Sequence, residues 1–285
     1  MLLLVDLDGV VYRGALPVPG VAAVLAARHA AGDRIAYVTN NSIWHRSDYE
    51  SRLRSMGAPV VAGSVVSAPR AAALHVAALR PAATRVLVVG GPGLQREMED
   101  VGLEVVTIAD AVLIADAVGV DGYAAAGRPD VVAVGLDEEF TYRRLWIASD
   151  AVRAGALLLA TNRDPILPIE GAVQPGAGSI VAALEVASGK APLVIGKPMP
   201  HLLEEAARFF GEDVRRAIMI GDGILTDIPA AHAAGARSIL MLTGVTTRDE
   251  LALVPEPAKP HFVAADAAEL AAILDTLSVE AEAGA

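Results

Sequence analysis

The chain contains no cysteine. Disulfides, thiolate nucleophiles and cysteine-ligated zinc or iron–sulfur centres are therefore excluded. A chain without cysteine also suits a reducing compartment, and a cytoplasmic location is expected. Lysine is nearly absent: Lys190, Lys197 and Lys259 are the only three, and the other basic residues are arginines. Any lysine inside a motif is thus worth weighing. No long basic run exists and the formal net charge is −11, so neither nucleic acid nor an anionic membrane surface is expected as a partner. The mean hydropathy is +0.46, yet charged or breaker residues interrupt every apolar stretch well short of the ~18 residues a spanning helix needs. Alanine-rich helices account for the value. The first residues lack a basic segment followed by a long apolar one, so no secretory leader is expected.

What is present is an alternation of short apolar, β-branched runs with alanine-rich stretches, which predicts an α/β fold. Strands are expected at Leu2–Val5, Ile35–Val38, Val86–Val89, Val131–Val134, Leu157–Ala160, Leu193–Ile195, Ile218–Ile220 and Ser238–Leu242. Helices are expected at Val21–Ala31, Ser64–Leu79, Tyr142–Ala154, Ser179–Ala187, His201–Phe210 and Asp266–Leu277. Two breaker clusters, Arg80-Pro81-Ala82 and Gly189-Lys190-Ala191-Pro192, bracket about 110 residues, enough for a domain. One domain inserted into another is the expected organisation: residues 1–81 and 192–285 form the outer domain and residues 82–191 the insert.

The chemistry-bearing residues follow apolar strands. Asp6-Leu7-Asp8-Gly9 comes directly after Leu2–Val5. Residues two apart in an extended segment share a side, so Asp6 and Asp8 are placed together at the carboxyl end of a strand, where open α/β sheets bind ligands. Two neighbouring carboxylates repel unless a cation or a shared proton intervenes. A hard cation such as Mg²⁺ takes such oxygen ligands. A strand end with an Asx-type turn is the plainer reading of this motif taken alone. Thr39-Asn40-Asn41-Ser42 follows Ile35–Val38, either as a phosphate-binding turn or as a helix cap. Gly196-Lys197-Pro198 follows Leu193–Ile195, and Lys197 there either neutralises a phosphate or is a solvated surface charge. Gly221-Asp222-Gly223 follows Ile218–Ile220. Asp227, five residues beyond Asp222, is either a helix-start charge or a group behind a metal. Taken together, the four strand ends supply acids, a hydroxyl-amide turn and a lysine, the set that phosphoryl transfer requires.

These motifs resemble the haloacid dehalogenase superfamily of phosphatases. The closer resemblance is to the branch with a large α/β cap inserted after the second motif: NagD-like, p-nitrophenyl-phosphate, phosphoglycolate, glycerol-3-phosphate and pyridoxal-phosphate phosphatases. DLDGVVYRG, TNNS with Arg46 beyond it, ATNRDPILP, PGAGS, GKP, GDGILTDI and LTGV all occur in family order across nearly the whole chain. The resemblance implies a Rossmann-like doubly wound parallel sheet with an inserted α/β cap. It implies hydrolysis of small phosphate monoesters through an aspartyl-phosphate on Asp6, with Asp8 as acid and then base. It implies Mg²⁺ held by Asp6, the Asp8 carbonyl and Asp222, with Asp227 behind them. Thr39, Asn40 and Lys197 would hold the phosphoryl group, and Gly9, Asn41 and Arg46 are counted with them. Asn162, Arg163 and Asp164 lie in the segment resembling the cap's specificity loop and are either candidate contacts for the leaving group or a strand-end turn with Asp-Pro chemistry. Relatives often dimerise through the cap, so a homodimer is a further expectation.

Two departures stand out. Gly223 occupies a place where many relatives carry a bulky polar residue, which is expected to loosen that loop. Leu167 stands where pyridoxal-phosphate-specific relatives tend to carry histidine, which disfavours that substrate. Two other classes have some support in the sequence. Gly90-Gly91-Pro92-Gly93 after Val86–Val89 suggests a dinucleotide-binding oxidoreductase, but Arg96 stands where the fingerprint requires glycine. A catalytically silent phospho-ligand-binding protein on the same scaffold is disfavoured because every candidate catalytic residue is present.

Overall fold

The computed structural model describes residues 1–79, 84–125, 128–169 and 172–283. The breaker cluster Arg80-Pro81-Ala82, with the expected boundary at residue 81, lies outside the described residues. The chain begins with β1 (Leu2–Asp6), a small hairpin of β2 (Tyr12–Arg13) and β3 (Leu16–Pro17), α1 (Val21–Ala30), β4 (Arg34–Thr39), α2 (Arg46–Ser55) and β5 (Val65–Ser67). Next come α3 (Ala68–Leu79), β6 (Arg85–Val89), α4 (Pro92–Glu99), β7 (Glu104–Thr107), α5 (Ile108–Ala125) and β8 (Val131–Val134). They are followed by α6 (Tyr142–Arg153), β9 (Leu157–Ala160), the hairpin β10 (Ile166–Ile169) and β11 (Ala172–Pro175), and α7 (Ala177–Ser188). The last part holds β12 (Leu193–Val194), α8 (His201–Phe209), β13 (Ile218–Gly221), α9 (Asp227–Ala234), β14 (Arg237–Met241), α10 (Arg248–Ala252), β15 (Phe262–Ala264) and α11 (Ala267–Ala283). No described helix is long and apolar enough to cross a membrane.

Two compact units result: Met1–Thr39, Ser47–Val66 and Lys197–Ala285 form the first, and Asn40–Arg46 with Ser67–Gly196 the second. The first is built on a six-stranded sheet in the order β15-β14-β13-β1-β4-β5. Every residue of β1 is buried, as its uninterrupted Leu-Leu-Leu-Val run requires of a strand covered on both faces. β1 pairs in parallel with β13 on one side and β4 on the other, with Val5 opposite Ile220 and Asp6 opposite Val38. The register brings the carboxyl ends of three strands level. The strand order also reverses about β1, the topological switch point where such sheets bind ligands. Leu3, Val5, Tyr37, Ile220 and Leu270 belong to the core cluster of this unit.

The second unit has its own parallel sheet, β12-β9-β8-β6-β7, with the hairpin β10-β11 apart from it. Leu87, Val132, Ile147, Val181 and Leu184 lie in its core. The division differs from the one drawn at the breaker clusters. α3 packs on α4, and β12 pairs with β9, Leu193 opposite Leu159, so both go with the second unit. One expected helix also changes character at its start. Val65–Ser67 is a strand: Tyr37 N–H donates to the Ser64 carbonyl at 2.9 Å, and sheet pairing takes the β-branched valines. Ser67 Oγ then accepts from Arg70 N–H at 3.2 Å and caps α3.

The glycines at 90–93 have a structural use. Pro92 opens α4, and a Cβ on Gly93 would overlap the backbone of Ile43 and Trp44. The space a dinucleotide fingerprint leaves for pyrophosphate is taken here by the chain's own backbone.

Candidate active site

Asp6 ends β1 and is 6% exposed. Beside it, Lys197 is 3% exposed, and its Nζ donates to Asp6 Oδ1 at 2.6 Å and to Asp227 Oδ1 at 2.5 Å. The strand that precedes Lys197, β12, belongs to the five-stranded sheet, so the lysine is not at the end of a strand of the sheet that carries Asp6. Asp227 opens α9. Its second oxygen accepts from Gly223 N–H at 2.8 Å. The plain reading of Lys197 as a surface lysine fails, since a buried lysine between two buried carboxylates requires that its charge be matched, while Asp227 is a helix-start charge that also pairs with Lys197.

Asp222 follows β13. Its Oδ2 accepts from Val245 N–H at 2.7 Å, and its carbonyl accepts from Thr246 Oγ1. Two glycines make room for this carboxylate. A Cβ on Gly9, where φ is +80°, or on Gly244 would overlap Asp222 Oδ2. Gly9 also needs its positive φ, and its carbonyl accepts from Thr243 Oγ1 at 2.7 Å. The LTGV segment is therefore part of the site. The motif is visible in the sequence, but nothing in its residue types shows that it supports Asp222. Gly223 does not loosen its loop. It is buried, its N–H is held by Asp227, and a Cβ there would overlap Thr226 Oγ1. Thr226 fills the space a larger residue would need.

One oxygen each of Asp6, Asp222 and Asp227 lie within 4.8 Å of one another. Burial pushes Asp6 well above the carboxylate range, against the pull of Lys197, and the Asp227 and Asp222 charges push it further. Burial, then repulsion from Asp227, pushes Asp222 up to about 6, against the Val245 N–H and Lys197. Burial pulls Lys197 down, but the charges of Asp227 and Asp6 outweigh it and hold the lysine above its ordinary value. Three buried carboxylates thus face one cation of the protein. Hard, crowded and short of positive charge, this donor set fits a small divalent ion such as Mg²⁺.

Asp8 exposes side-chain surface, while protein atoms crowd its carboxyl. The resulting desolvation raises its pKa, with Arg52 and Lys197 pulling against it. Arg52 stacks on the Tyr12 ring, 3.8 Å from its centroid, a neighbour of Asp8 that the sequence does not single out. Thr39, buried at the end of β4, completes the first unit's set.

The remaining candidates fall in the second unit. The Asn162 side-chain N–H donates to the Asn40 carbonyl at 2.8 Å. Asn40 Nδ2 in turn donates to Asp164 at 3.1 and 3.3 Å. Asn41 Oδ1 accepts from Ile43 N–H at 3.0 Å in a local turn. Arg163 pairs with Glu185. Arg46 pairs with Glu97 and Asp100, so its guanidinium serves a buried cluster. Glu97 is fully buried there, with His45 Nε2 at 3.4 Å and Arg70 at 3.7 Å. His45, Glu97 and Asp100 have metal-ligand spacing, but two arginines already neutralise the acids, which leaves a cation little to gain. Leu167 pairs with Gln174 in the β10-β11 hairpin.

Family models match the chain as a haloacid dehalogenase-like hydrolase over residues 3–104 and as HAD-hydrolase-like over residues 194–270. It is 38% identical to a glycerol-3-phosphate phosphatase of Gallus gallus over 255 residues, 87% of this chain and 81% of that one. A glycerol phosphate phosphatase of Mycobacterium tuberculosis, solved in complex with magnesium, superposes with a TM-score of 0.81 at 34% identity, over 94% of this chain and 75% of that one. The p-nitrophenyl phosphatase of Archaeoglobus fulgidus superposes with a TM-score of 0.83 at 30% identity, over 95% and 98%.

Proposed function

The chain belongs to the haloacid dehalogenase-like hydrolases, in the NagD-like branch, and on that premise we propose that it hydrolyses small phosphate monoesters in a Mg²⁺-dependent reaction. The observation that carries this reading is the buried Asp6–Lys197–Asp227 bridge with Asp222 beside it. Asp6, Asp222 and the Asp8 carbonyl would hold the Mg²⁺. When bound, the ion neutralises carboxylate and phosphoryl charge that would otherwise repel.

Lys197 fixes one oxygen of Asp6 at 2.6 Å, which orients the carboxylate as nucleophile. An Asp6 oxygen bonds to phosphorus as the phosphorus–alkoxide bond breaks, giving an aspartyl-phosphate. Asp8 gives its proton to the departing alkoxide. Its raised pKa keeps that proton available at higher pH than an ordinary carboxyl would. Asp8 then takes a proton from the water that attacks the aspartyl-phosphate, and inorganic phosphate leaves. Thr39, Asn40 and Lys197 would hold the phosphoryl oxygens. The second unit is read as the inserted cap, a cytosolic location is favoured by the absence of cysteine, and a homodimer through the cap is part of the same proposal.

Phosphate release from p-nitrophenyl phosphate, phosphoglycolate, glycerol 3-phosphate, pyridoxal phosphate and nucleotides tests the reading, with Mg²⁺, with chelator and with Asp6→Asn. The expected result is turnover that requires both the metal and Asp6, with a loss of several orders of magnitude in the variant. No turnover on any ester by folded, Mg²⁺-loaded protein would leave a silent phospho-ligand-binding protein as the better reading.

A further inference from the structure

The acid of the ATNRDPILP segment does not stand ready for a ligand. It is engaged with the turn that follows β4. Asp164 is half-buried and takes Asn40 Nδ2 on both oxygens, at 3.1 and 3.3 Å. A carboxylate only accepts hydrogen bonds, so this pairing also determines which way the Asn40 amide faces. Its Oδ1 is turned to Gly196, where an added Cβ would stand 2.7 Å from it. The Asn40 carbonyl accepts from Asn162 Nδ2 at 2.8 Å, and Asn162 Oδ1 accepts from Asp164 N–H at 3.0 Å. Asn40 is thus held at its backbone and its side chain by two residues that also hold each other.

The Asp164 backbone is itself built in. Its carbonyl accepts from Gly178 N–H at 3.0 Å. A Cβ on Gly176 or on Gly178 would overlap that carbonyl or its neighbour at Arg163. The PGAGS glycines therefore let α7 close against the loop that presents Asp164. Charge-assisted hydrogen bonds are about twice as strong as neutral ones, and this one is spent on an asparagine that directly follows Thr39.

We propose that Asp164 is a positioning residue for phosphoryl transfer: it fixes the Asn40 amide, and with Asn162 the backbone of the Thr39-Asn40-Asn41 turn, and does not itself contact the leaving group. The inference rests on the reading of Asn40 as a phosphoryl contact. It reassigns Asp164 and Asn162, which the sequence offers as substrate contacts. A group that acts on the phosphoryl contact acts on the part every substrate shares.

Steady-state kinetics of the full chain with Mg²⁺ test this, using p-nitrophenyl phosphate and glycerol 3-phosphate. The variants are Asp164→Ala, Asp164→Asn, Asn40→Ala and the Asp164→Ala/Asn40→Ala pair. Asp164→Ala is expected to lower kcat by about ten- to a hundredfold, the cost of a small misplacement, and by the same factor on both esters, with KM nearly unchanged. Asp164→Asn, which keeps an acceptor oxygen for Asn40 Nδ2, is expected to restore most of the loss. The double variant should be no worse than Asn40→Ala. An effect on KM that differs between the two esters would overturn the proposal and make Asp164 a leaving-group contact. A lowered Tm with unchanged kcat would overturn it in favour of a purely structural role, and additive losses in the double variant would overturn it too. Absence of turnover by the wild-type chain removes the phosphatase reading and this proposal with it. Wild-type turnover abolished by Asp6→Asn but untouched in Asp164→Ala overturns this proposal alone.

Discussion

Asp222 depends on residues that have no side chain. Gly9 and Gly244 lie against its carboxylate so closely that a single added methyl group on either would overlap Oδ2. Gly244 carries no positive φ, so Gly244→Ala tests the contact without a backbone penalty. The methyl must push the carboxylate away from the position that Val245 N–H holds at 2.7 Å. Disturbing the surroundings of a metal ligand typically costs about 10–100-fold in affinity. Gly244→Ala is therefore expected to raise the Mg²⁺ concentration for half-maximal phosphate release by about that factor, with full-length protein still folded by circular dichroism. An unchanged Mg²⁺ dependence would mean that Asp222 tolerates the shift. At the same scale, Gly223 shows that a residue's freedom depends on its neighbours: Thr226 and Asp227 confine it.

Helix α4 carries more than its length suggests. It is eight residues long, yet it presents Glu97, fully buried, to Arg46 N–H at 2.9 Å and to the Arg46 guanidinium. His45 and Arg70 approach the same carboxylate. Removing one partner of a buried ion pair strands the rest of its charge in a low-dielectric setting and costs about 3–5 kcal/mol. Glu97→Ala should thus lower the urea midpoint by an amount corresponding to about that loss, because Arg46, Arg70 and His45 lose their common acceptor. By contrast, the capping box of α10, Thr247 with Glu250, lies on the surface, and its loss should cost only about 1 kcal/mol. A drop no larger for Glu97→Ala than for Thr247→Ala would show that the cluster is solvated in practice.

For the whole molecule, the buried carboxylates link stability, pH and metal. Asp222 is pushed up to about 6 from an ordinary 3.8, and Asp6 moves in the same direction. Between about pH 4 and 6 the folded protein holds protons that the unfolded chain has already released. For Asp222 stability therefore falls as pH rises through that window, so this carboxyl destabilises the metal-free protein fully above about pH 6 and not at all below about 4, and Asp6 acts in the same direction. Mg²⁺ needs the carboxylates ionised, and binding releases their protons. The Tm increment on adding Mg²⁺ should consequently be large at pH 7.5 and shrink markedly at pH 5. The increment isolates these groups from the other acids, which titrate equally with and without the ion. An increment independent of pH would place the ion elsewhere.

The α/β class, most strands and the site's residue types were legible in the sequence because they depend on local regularities. An all-apolar run such as Leu2–Val5 can be stable only when covered on both faces, and acids two apart on a strand share a side. Asp6, Asp222 and Lys197 could be named for the same reason: their residue types and strand-end positions already limit the chemistry. Pairing partners could not be read, because they are set by contacts between residues far apart in the chain. That Lys197 bridges Asp6 and Asp227 was decided only when residues 191 and 30 positions apart met. That Arg46 serves Glu97, that Asp164 holds Asn40, and that Val65–Ser67 joins a sheet edge were settled the same way. Local propensity is a weak preference, and hydrogen-bond and charge matching in a buried setting outweighs it wherever the fold brings the groups together.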